Sequence, residues 1–275
     1  MSPQVMNPKV AAVQMTSVAD VATNLETAAR LLRESADAGA SVAVLPENFA
    51  FMGLRDGDKL KVAEEEGHGL AQERIAELAA SLRMWVIAGT LPIRVAGERR
   101  VAAASLVFDA SGRQVARYDK IHLFDVDVPD REESHRESNN IRPGETVVTV
   151  DTPAGRVGLS VCYDVRFPEL YRRMAAEGAR WFVVPAAFTV PTGRAHWELL
   201  LRARAVENLA FVVAPGQSGV HPSGRETYGD SLIVDHWGAV LARRAHGEGI
   251  VTASFDLDAQ RRVREAFPAL QHRRL

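Results

Sequence analysis

The chain has 275 residues, of which 47% are hydrophobic and 25% charged, so it can bury a large core and lacks the composition of a disordered protein. Its formal net charge of −2 offers no broad attraction for nucleic-acid phosphates or anionic lipids, and we expect neither nucleic acid nor membrane as a partner. The single cysteine excludes an internal disulfide, and the start MSPQVMNPKV lacks the apolar stretch of a secretory signal, which together indicate a cytoplasmic protein.

Strands and helices are predicted to alternate through the first half of the chain. Strand-like runs occur at 9–15 (KVAAVQM), 41–46 (SVAVLP) and 84–91 (MWVIAGTL), and apolar residues recur at helical spacing in the stretches between them. The runs 102–109 and 113–120 are joined by a turn that contains Ser and Gly, which predicts a hairpin.

The second half repeats this order and part of the sequence. Its strands are predicted at RVGLSV, RWFVVP and FVVAPG, with one helix after Pro168 and another over about 195–208. SLIVDHWGAVLAR, which starts at Ser231, repeats the pattern of SLVFDASGRQVAR, which starts at Ser105. The chain is therefore predicted to have an internally duplicated α/β fold, with two mixed sheets face to face and helices outside.

The sequence is predicted to form one domain. No linker rich in Pro, Ser or Gly divides the sequence, and its length suits one large domain. We predict a single domain over residues 8–275 and a flexible leader over residues 1–7.

Three chemically useful side chains follow predicted strands. Glu47 comes directly after SVAVLP, Lys120 ends the second strand of the first hairpin, and Cys162 follows RVGLSV. α/β proteins usually place their sites at strand ends, and a cation or a helix N-terminus near such a thiol lowers its pKa and favours the thiolate nucleophile. An inert buried thiol, a helix-capping glutamate and a solvated lysine are the alternatives for these positions.

The motifs around these residues resemble a known family. LPENF, YDKIHLFDVDVP and GLSVCYDVRFPEL are similar to the three signature regions of the nitrilase superfamily of carbon–nitrogen hydrolases, and the resemblance spans nearly the whole chain. It implies a four-layer αββα sandwich and a catalytic triad of Glu47, Lys120 and Cys162.

Further motifs resemble one branch of that family. CYDVRFPEL, PAAFTVPTGRAHWELLLRARAVEN and YGDSLIVDHWG look most like the branch that contains deaminated glutathione amidase and the omega-amidases. The supporting glutamate of the family corresponds to Glu137 in HRESNN, with Glu132 and Glu133 as competitors in the same loop.

The resemblance implies a mechanism that requires no cofactor and no metal. Glu47 takes the proton of Cys162, the thiolate attacks an amide carbonyl, and Lys120 with the backbone N–H of Tyr163 holds the oxyanion. Ammonia leaves, and Glu47 then activates the water that hydrolyses the thioester. Glu137 orients Lys120 or the substrate amide.

The sequence is less informative about the substrate. We expect a small carboxylated amide, and Arg166 is a candidate to meet its carboxylate, although a structural ion pair is equally consistent. Loops at about 49–58, 124–142 and 186–195 are expected to shape the pocket. The family commonly pairs subunits, so a homodimer or a larger homo-oligomer is expected.

Other functions have weaker support. His122, Asp125 and Asp127 suggest a metal site, but an extended loop need not bring them together. GQSGV at 216–220 lacks the last glycine of a serine-hydrolase elbow. Three alternatives remain open: an omega-amidase acting on α-ketoglutaramate, an acyl transferase that uses an amine, and a noncatalytic partner-binding protein.

Overall fold

The computed structural model describes residues 7–128 and 133–274. Its strands, in chain order, are β1 (Lys9–Gln14), β2 (Val42–Val44), β3 (Trp85–Arg94), β4 (Val101–Phe108), β5 (Gln114–Asp119), β6 (Asp125–Val128), β7 (Glu133–Arg136), β8 (Thr149–Thr152), β9 (Gly155–Leu159), β10 (Trp181–Val183), β11 (Phe211–Ala214), β12 (Ser218–Val220), β13 (Glu226–Tyr228), β14 (Ser231–Val234), β15 (Val240–Arg244) and β16 (Gly249–Ser254). The helices are α1 (Val21–Asp37), α2 (Leu70–Leu82), α3 (Pro168–Ala176), α4 (Val190–Asn208) and α5 (Leu257–Ala266). No helix within the described ranges is long and apolar enough to cross a membrane.

Part of the predicted domain organisation falls outside this description. The predicted leader, residues 1–7, lies outside the described residues except for residue 7, as does the last residue of the chain. The single domain over residues 8–275 stays a prediction.

Two six-stranded sheets have the same internal order. The first runs β5-β4-β3-β2-β1-β16 and the second runs β15-β14-β11-β10-β9-β8, each with three parallel strands in its middle. The hairpins β4–β5 and β14–β15 even carry a bulge at the equivalent place, between Val107 and Phe108 in one and between Ile233 and Val234 in the other. The predicted duplication of an α/β unit is confirmed.

The side chains of the first sheet alternate between two hydrophobic clusters. Val10 and Ala12 of β1 pack towards the second sheet, whereas Ala11 and Val13 pack against α1 and α2. On the second sheet, the Phe182 ring of β10 meets a ring of α3 edge-on at 5.1 Å, and α4 packs beside α3. The layers are therefore helices, sheet, sheet and helices, which confirms the predicted four-layer αββα sandwich.

Local chemistry sets the bounds of the first helix. The Asp20 side chain accepts the N–H of Thr23 at 2.8 Å and so caps the start of α1. Leu25 and Leu32 are buried on one face, as their spacing predicts. The chain leaves the helix at Gly39, whose φ of +80° suits glycine.

Two segments that we predicted as loops contain regular structure. α4 begins at Val190 instead of about 195, because Thr189 has extended backbone at the N-cap and Pro191 suits the first helical turn. The 124–142 segment contains the antiparallel pair β6–β7 and a one-turn 3₁₀ helix, Glu137–Asn139. β6 alternates polar and apolar residues as DVDV, but the alternation covers only four residues, and β7 is polar throughout.

Candidate active site

Glu47, Lys120 and Cys162 follow three different strands and line one cavity. Glu47 lies three residues beyond the end of β2, Lys120 directly follows β5, and Cys162 lies three residues beyond the end of β9. The cavity has a volume of about 610 Å³, including its open mouth. The exposed fraction is 4% for Glu47, 1% for Lys120 and 7% for Cys162, so all three groups are largely shielded from water.

Cys162 stands at a sharp corner of the backbone. It is the first residue of a short 3₁₀ helix, Cys162–Arg166. Its backbone φ of +47° lies in the left-handed region that residues other than glycine rarely adopt. Its N–H donates to the carbonyl of Pro185 at 2.8 Å, which holds the corner in place.

The environment of Cys162 keeps its sulfur protonated. Burial and the negative charge of Glu47 raise the pKa of the thiol well above its usual value, although the charge of Lys120 opposes them. We expected a lowered pKa at this position, and the structure differs because α3 begins only at Pro168 and Glu47 lies next to the sulfur. The thiol therefore needs a base before it can act as a nucleophile.

The Lys120 ammonium joins two carboxylates. Its Nζ donates to Oε1 of Glu47 at 2.8 Å and to both oxygens of Glu137, at 3.1 and 2.8 Å. Burial alone would lower the pKa of Lys120, but the charges of Glu137 and Glu47 outweigh it and raise this pKa well above its usual value. Lys120 is therefore a fixed positive charge.

The two carboxylates are held from their other sides as well. Oε2 of Glu47 accepts the N–H of Ala187 at 2.9 Å, and Oε2 of Glu137 accepts the N–H of Phe124 at 2.8 Å. Burial would raise the pKa of Glu137, but Lys120 and Lys59 hold it below its usual value. Both carboxylates thus have set orientations.

The structure brings Glu137 to the candidate site as the sequence predicted. Of its two competitors, Glu132 lies outside the described residues and Glu133 lies in β7. The supporting role of Glu137 stays a prediction.

Tyr163 and Arg166 have different relations to the cavity. Tyr163 lines it, with its ring edge-on to that of Phe124 at 5.2 Å. The Arg166 guanidinium lies behind the wall, 5.8 Å from the Tyr163 ring centre and 5.5 Å from that of Phe188. Its nitrogens are 3.4 Å from Nδ1 of His196, and no carboxylate in the described part of the chain pairs with it. The substrate-binding roles of both residues stay predictions.

Asp164 is a buried residue of the site that our reading of the sequence missed. One of its oxygens accepts the Tyr118 hydroxyl at 2.7 Å and the N–H of Val161 at 2.8 Å, and the other accepts the N–H of His122 at 3.0 Å. Tyr118 and His122 flank Lys120, so this carboxylate ties the lysine segment to the turn that carries Cys162. An acid two positions after Cys162 in an apolar setting was the available signal.

Replacing Asp164 with Asn should weaken this tie. An amide presents one oxygen and one NH₂ group to donors on both sides, so we expect a loss of about 3 kcal/mol in the free energy of unfolding. We also expect a lower kcat in the folded fraction. Urea unfolding and steady-state rates measure both effects, with Asp125→Asn on the nearby exposed strand as the control. Unchanged stability and kcat would contradict the structural tie.

Gln217 was also missed, although it lies in the GQSGV segment. Its amide nitrogen donates to the backbone carbonyl of Glu47 at 3.0 Å and to the hydroxyl of Ser17 at 2.7 Å. Its oxygen accepts the N–H of Ser17 at 2.9 Å. This buried side chain therefore holds the backbone of Glu47 against the segment that follows β1.

The three residues considered for a metal site have separate partners. The His122 Nδ1 lies 2.7 Å from Asp164, and Asp127 pairs with Arg136 at 2.8 Å. Asp125 accepts the N–H of Ser138 at 3.0 Å. Within residues 7–128 and 133–274, no group of three or more His, Cys, Asp or Glu side chains is arranged to hold a metal ion.

Known proteins are similar to the chain over nearly its whole length. The family model described as carbon-nitrogen hydrolase matches residues 9–265. A deaminated glutathione amidase from Synechocystis sp. (strain PCC 6803 / GT-S) is 41% identical over 267 residues, which cover 96% of this chain and 97% of the relative.

Solved structures have the same fold. The crystal structure of Saccharomyces cerevisiae Nit3, described as a member of branch 10 of the nitrilase superfamily, has a TM-score of 0.88 and 30% identity, covering 98% of this chain and 97% of that one. The C. elegans NitFhit protein has a TM-score of 0.91 and 37% identity over 98% of this chain, which spans 65% of that longer protein.

The matching family model, the similar relatives and the solved structures agree with the fold. The chain belongs to the carbon–nitrogen hydrolase family. The prediction of an enzyme of the amidase type is confirmed.

Proposed function

We propose that the protein hydrolyses a small carboxylated amide through a thioester on Cys162, and that its substrate is most like that of deaminated glutathione amidase. The observation that carries this proposal is the buried Lys120 ammonium, which bridges Glu47 and Glu137 beside the only cysteine of the chain. The name of the 41% identical relative supports the substrate class.

In the first step Glu47 acts as the general base. The Glu47 carboxylate helps to raise the pKa of the Cys162 thiol, so a neutral thiol must lose its proton as it attacks. The sulfur adds to the amide carbonyl carbon, and the proton passes to Glu47. The second acid, Glu137, holds the lysine in place instead of moving this proton.

Lys120 and the Tyr163 N–H stabilise the oxyanion that forms. Lys120 keeps its charge because two carboxylates surround it, so it donates a hydrogen bond to the developing negative oxygen. Tyr163 is in the first turn of the 3₁₀ helix that begins at Cys162, where a backbone N–H has no acceptor within the helix itself. The oxyanion therefore has one donor from a side chain, Lys120, and one from the backbone, the Tyr163 N–H.

The protonated Glu47 then donates its proton to the leaving nitrogen, and the C–N bond breaks. A primary amide such as α-ketoglutaramate releases ammonia. Deaminated glutathione contains only secondary amides, so its hydrolysis releases an amine, and our expectation of ammonia does not hold for that substrate. Water, deprotonated by Glu47, finally hydrolyses the thioester and frees the acid and the thiol.

Product analysis tests this function. Purified protein should convert deaminated glutathione to a 2-oxo acid and a peptide with a free amino group, while Cys162→Ser should release neither. A faster reaction with α-ketoglutaramate would choose the omega-amidase alternative. A product that forms only when an acceptor amine is added, with no free acid formed in water alone, would indicate acyl transfer, and no product from folded protein would refute the amidase proposal.

Replacing Lys120 with Ala should lower kcat by at least ~10²-fold, because an oxyanion donor is lost. The change also leaves Glu47 and Glu137 buried without their shared cation, so we expect about 3 to 5 kcal/mol less stability. Rates are therefore compared at a temperature where urea unfolding shows the variant to be folded, with Lys61→Ala, an exposed lysine, as the control. A change confined to KM would make Lys120 a binding residue instead.

We also propose that the protein is cytoplasmic and forms a homodimer or a larger homo-oligomer. A nucleophilic thiol stays reduced most easily in the cytoplasm. Exposed apolar side chains on α4 and on the β14–β15 turn, including Leu199 and Trp237, support a subunit contact. Analytical ultracentrifugation tests the oligomeric state, and a monomer at all concentrations would refute it.

A further inference from the structure

The charge of the candidate site raises a problem for an anionic substrate. Two carboxylates, Glu47 and Glu137, share the single Lys120 ammonium, so this cluster has a net charge of −1 before a substrate arrives. A carboxylated amide would be repelled unless other cations line the cavity. Such cations are the best candidates for substrate selection.

Besides Lys120, three cationic side chains line the cavity in the described part of the chain. Arg136 already forms an ion pair, because it donates to both oxygens of Asp127 at 2.8 and 3.0 Å. Lys59 and Arg225 differ from it, since neither has an ion pair with a carboxylate in that part of the chain. These two therefore have charge available for a ligand.

Arg225 is placed close to the reacting groups. One of its terminal nitrogens donates to the carbonyl of Ala187 at 2.9 Å, and the N–H of the same Ala187 donates to Glu47. Its Nε is buried without a hydrogen-bond partner in the described structure. A buried N–H of a guanidinium costs free energy when it is left unpaired, and a ligand carboxylate would satisfy it.

Lys59 also lines the cavity, and it belongs to the short 3₁₀ helix Asp56–Leu60. It is half-buried, and its charge helps to lower the pKa of Glu137. Asp56, in the same 3₁₀ helix, also lines the cavity but is exposed to solvent, which screens its charge.

We propose that Lys59 and Arg225 are specificity-determining residues that bind the carboxylates of the substrate, and so select anionic over neutral amides. This inference rests on the proposed amidase function. It assigns the preference for anionic substrates to two cations other than Lys120.

A matched pair of substrates tests the inference. Glutaramate and glutaramide have the same length and the same scissile amide, and differ in a carboxylate against a second carboxamide. For Lys59→Met and Arg225→Met we expect kcat/KM for glutaramate to fall roughly 10- to 100-fold, mostly through KM, and that for glutaramide to fall much less. Lys59→Arg and Arg225→Lys should restore part of the loss. Arg136→Met, which removes from the same cavity a cation that is already paired with Asp127, is the control.

A second measurement does not need turnover. Glutarate should protect Cys162 from alkylation in the wild type, and the label is unambiguous because the chain has one cysteine. Protection should require roughly 10- to 100-fold more glutarate in the two methionine variants.

The outcomes separate the inference from the function it rests on. Equal losses for glutaramate and glutaramide, or equal protection by glutarate in wild type and variants, would overturn the role of Lys59 and Arg225 while leaving the amidase function intact. No hydrolysis of deaminated glutathione or of either amide by the wild type would refute the function itself, and the protection assay would still decide the carboxylate site.

Discussion

Cys162→Ala is expected to abolish amide hydrolysis, with kcat at least ~10⁴-fold below that of the wild type, because no other group in the cavity can form the thioester. The fold should survive, since the thiol contributes little to the core and the backbone bond from Cys162 to Pro185 does not involve the side chain. The left-handed backbone at this position costs Ala about as much as it costs Cys.

Mass spectrometry gives this prediction a second readout. Wild-type protein quenched during turnover should carry an acyl group on Cys162, and the variant should carry none. Substrate affinity should change little, because Lys59, Arg225 and the cavity wall are untouched. Turnover near the wild-type rate in Cys162→Ala would exclude the thioester mechanism, whatever the family of the protein.

Glu47→Gln is expected to have the next largest effect, a fall in kcat of roughly 10²- to 10⁴-fold. The amide oxygen of Gln can still accept the N–H of Ala187, so the side chain keeps a partner. It can no longer take the thiol proton or give it to the leaving nitrogen. Because a negative charge next to Cys162 is removed, the pKa of the thiol should fall even as the rate falls.

These opposite changes make the prediction specific. The thiolate fraction is followed by its ultraviolet absorbance, as the difference between Glu47→Gln and the same protein with Cys162→Ser. Glu137→Gln is the matched control, since it makes the same substitution on the other carboxylate bound to Lys120 and should lower kcat less. A normal rate in Glu47→Gln, or a larger loss of kcat in Glu137→Gln than in Glu47→Gln, would contradict the role of Glu47 as the general base.

Most of the architecture could be predicted from the sequence, but several polar edge strands and the start of α4 could not. The buried strands β1, β2, β3, β9, β10 and β11 are nearly continuous apolar runs, which local patterning identifies without any knowledge of their neighbours. The edge strands β8 and β16 are half-exposed and β7 is polar, so hydrogen bonding to adjacent chain segments stabilises them and their sequences carry no clear strand pattern. β6 alternates as DVDV, but over only four residues. The start of α4 was placed too late for a related reason, because Thr189 and Pro191 define it without an apolar face.

The candidate site divides in the same way. Glu47, Lys120, Cys162 and Glu137 are recognisable in the sequence because each sits in a short motif of a known family. Asp164 and Gln217 are equally buried around them, yet their importance comes from partners that are distant along the chain. The Tyr118 hydroxyl reaches Asp164 across 46 positions, and Gln217 reaches Glu47 across 170.

The sequence by itself predicted the duplicated α/β fold, which the structure confirms, and named the candidate reacting groups, because hydrophobic periodicity and short motifs are local properties of a chain. Only the tertiary structure decided how these groups are charged. It showed that Glu47 raises the pKa of the thiol and that one ammonium pairs with two carboxylates. It also showed that Arg225 has a buried Nε without a hydrogen-bond partner in the described part of the chain. Burial and electrostatic interaction depend on distances between residues far apart in the chain, and those distances are set only when the two sheets pack together.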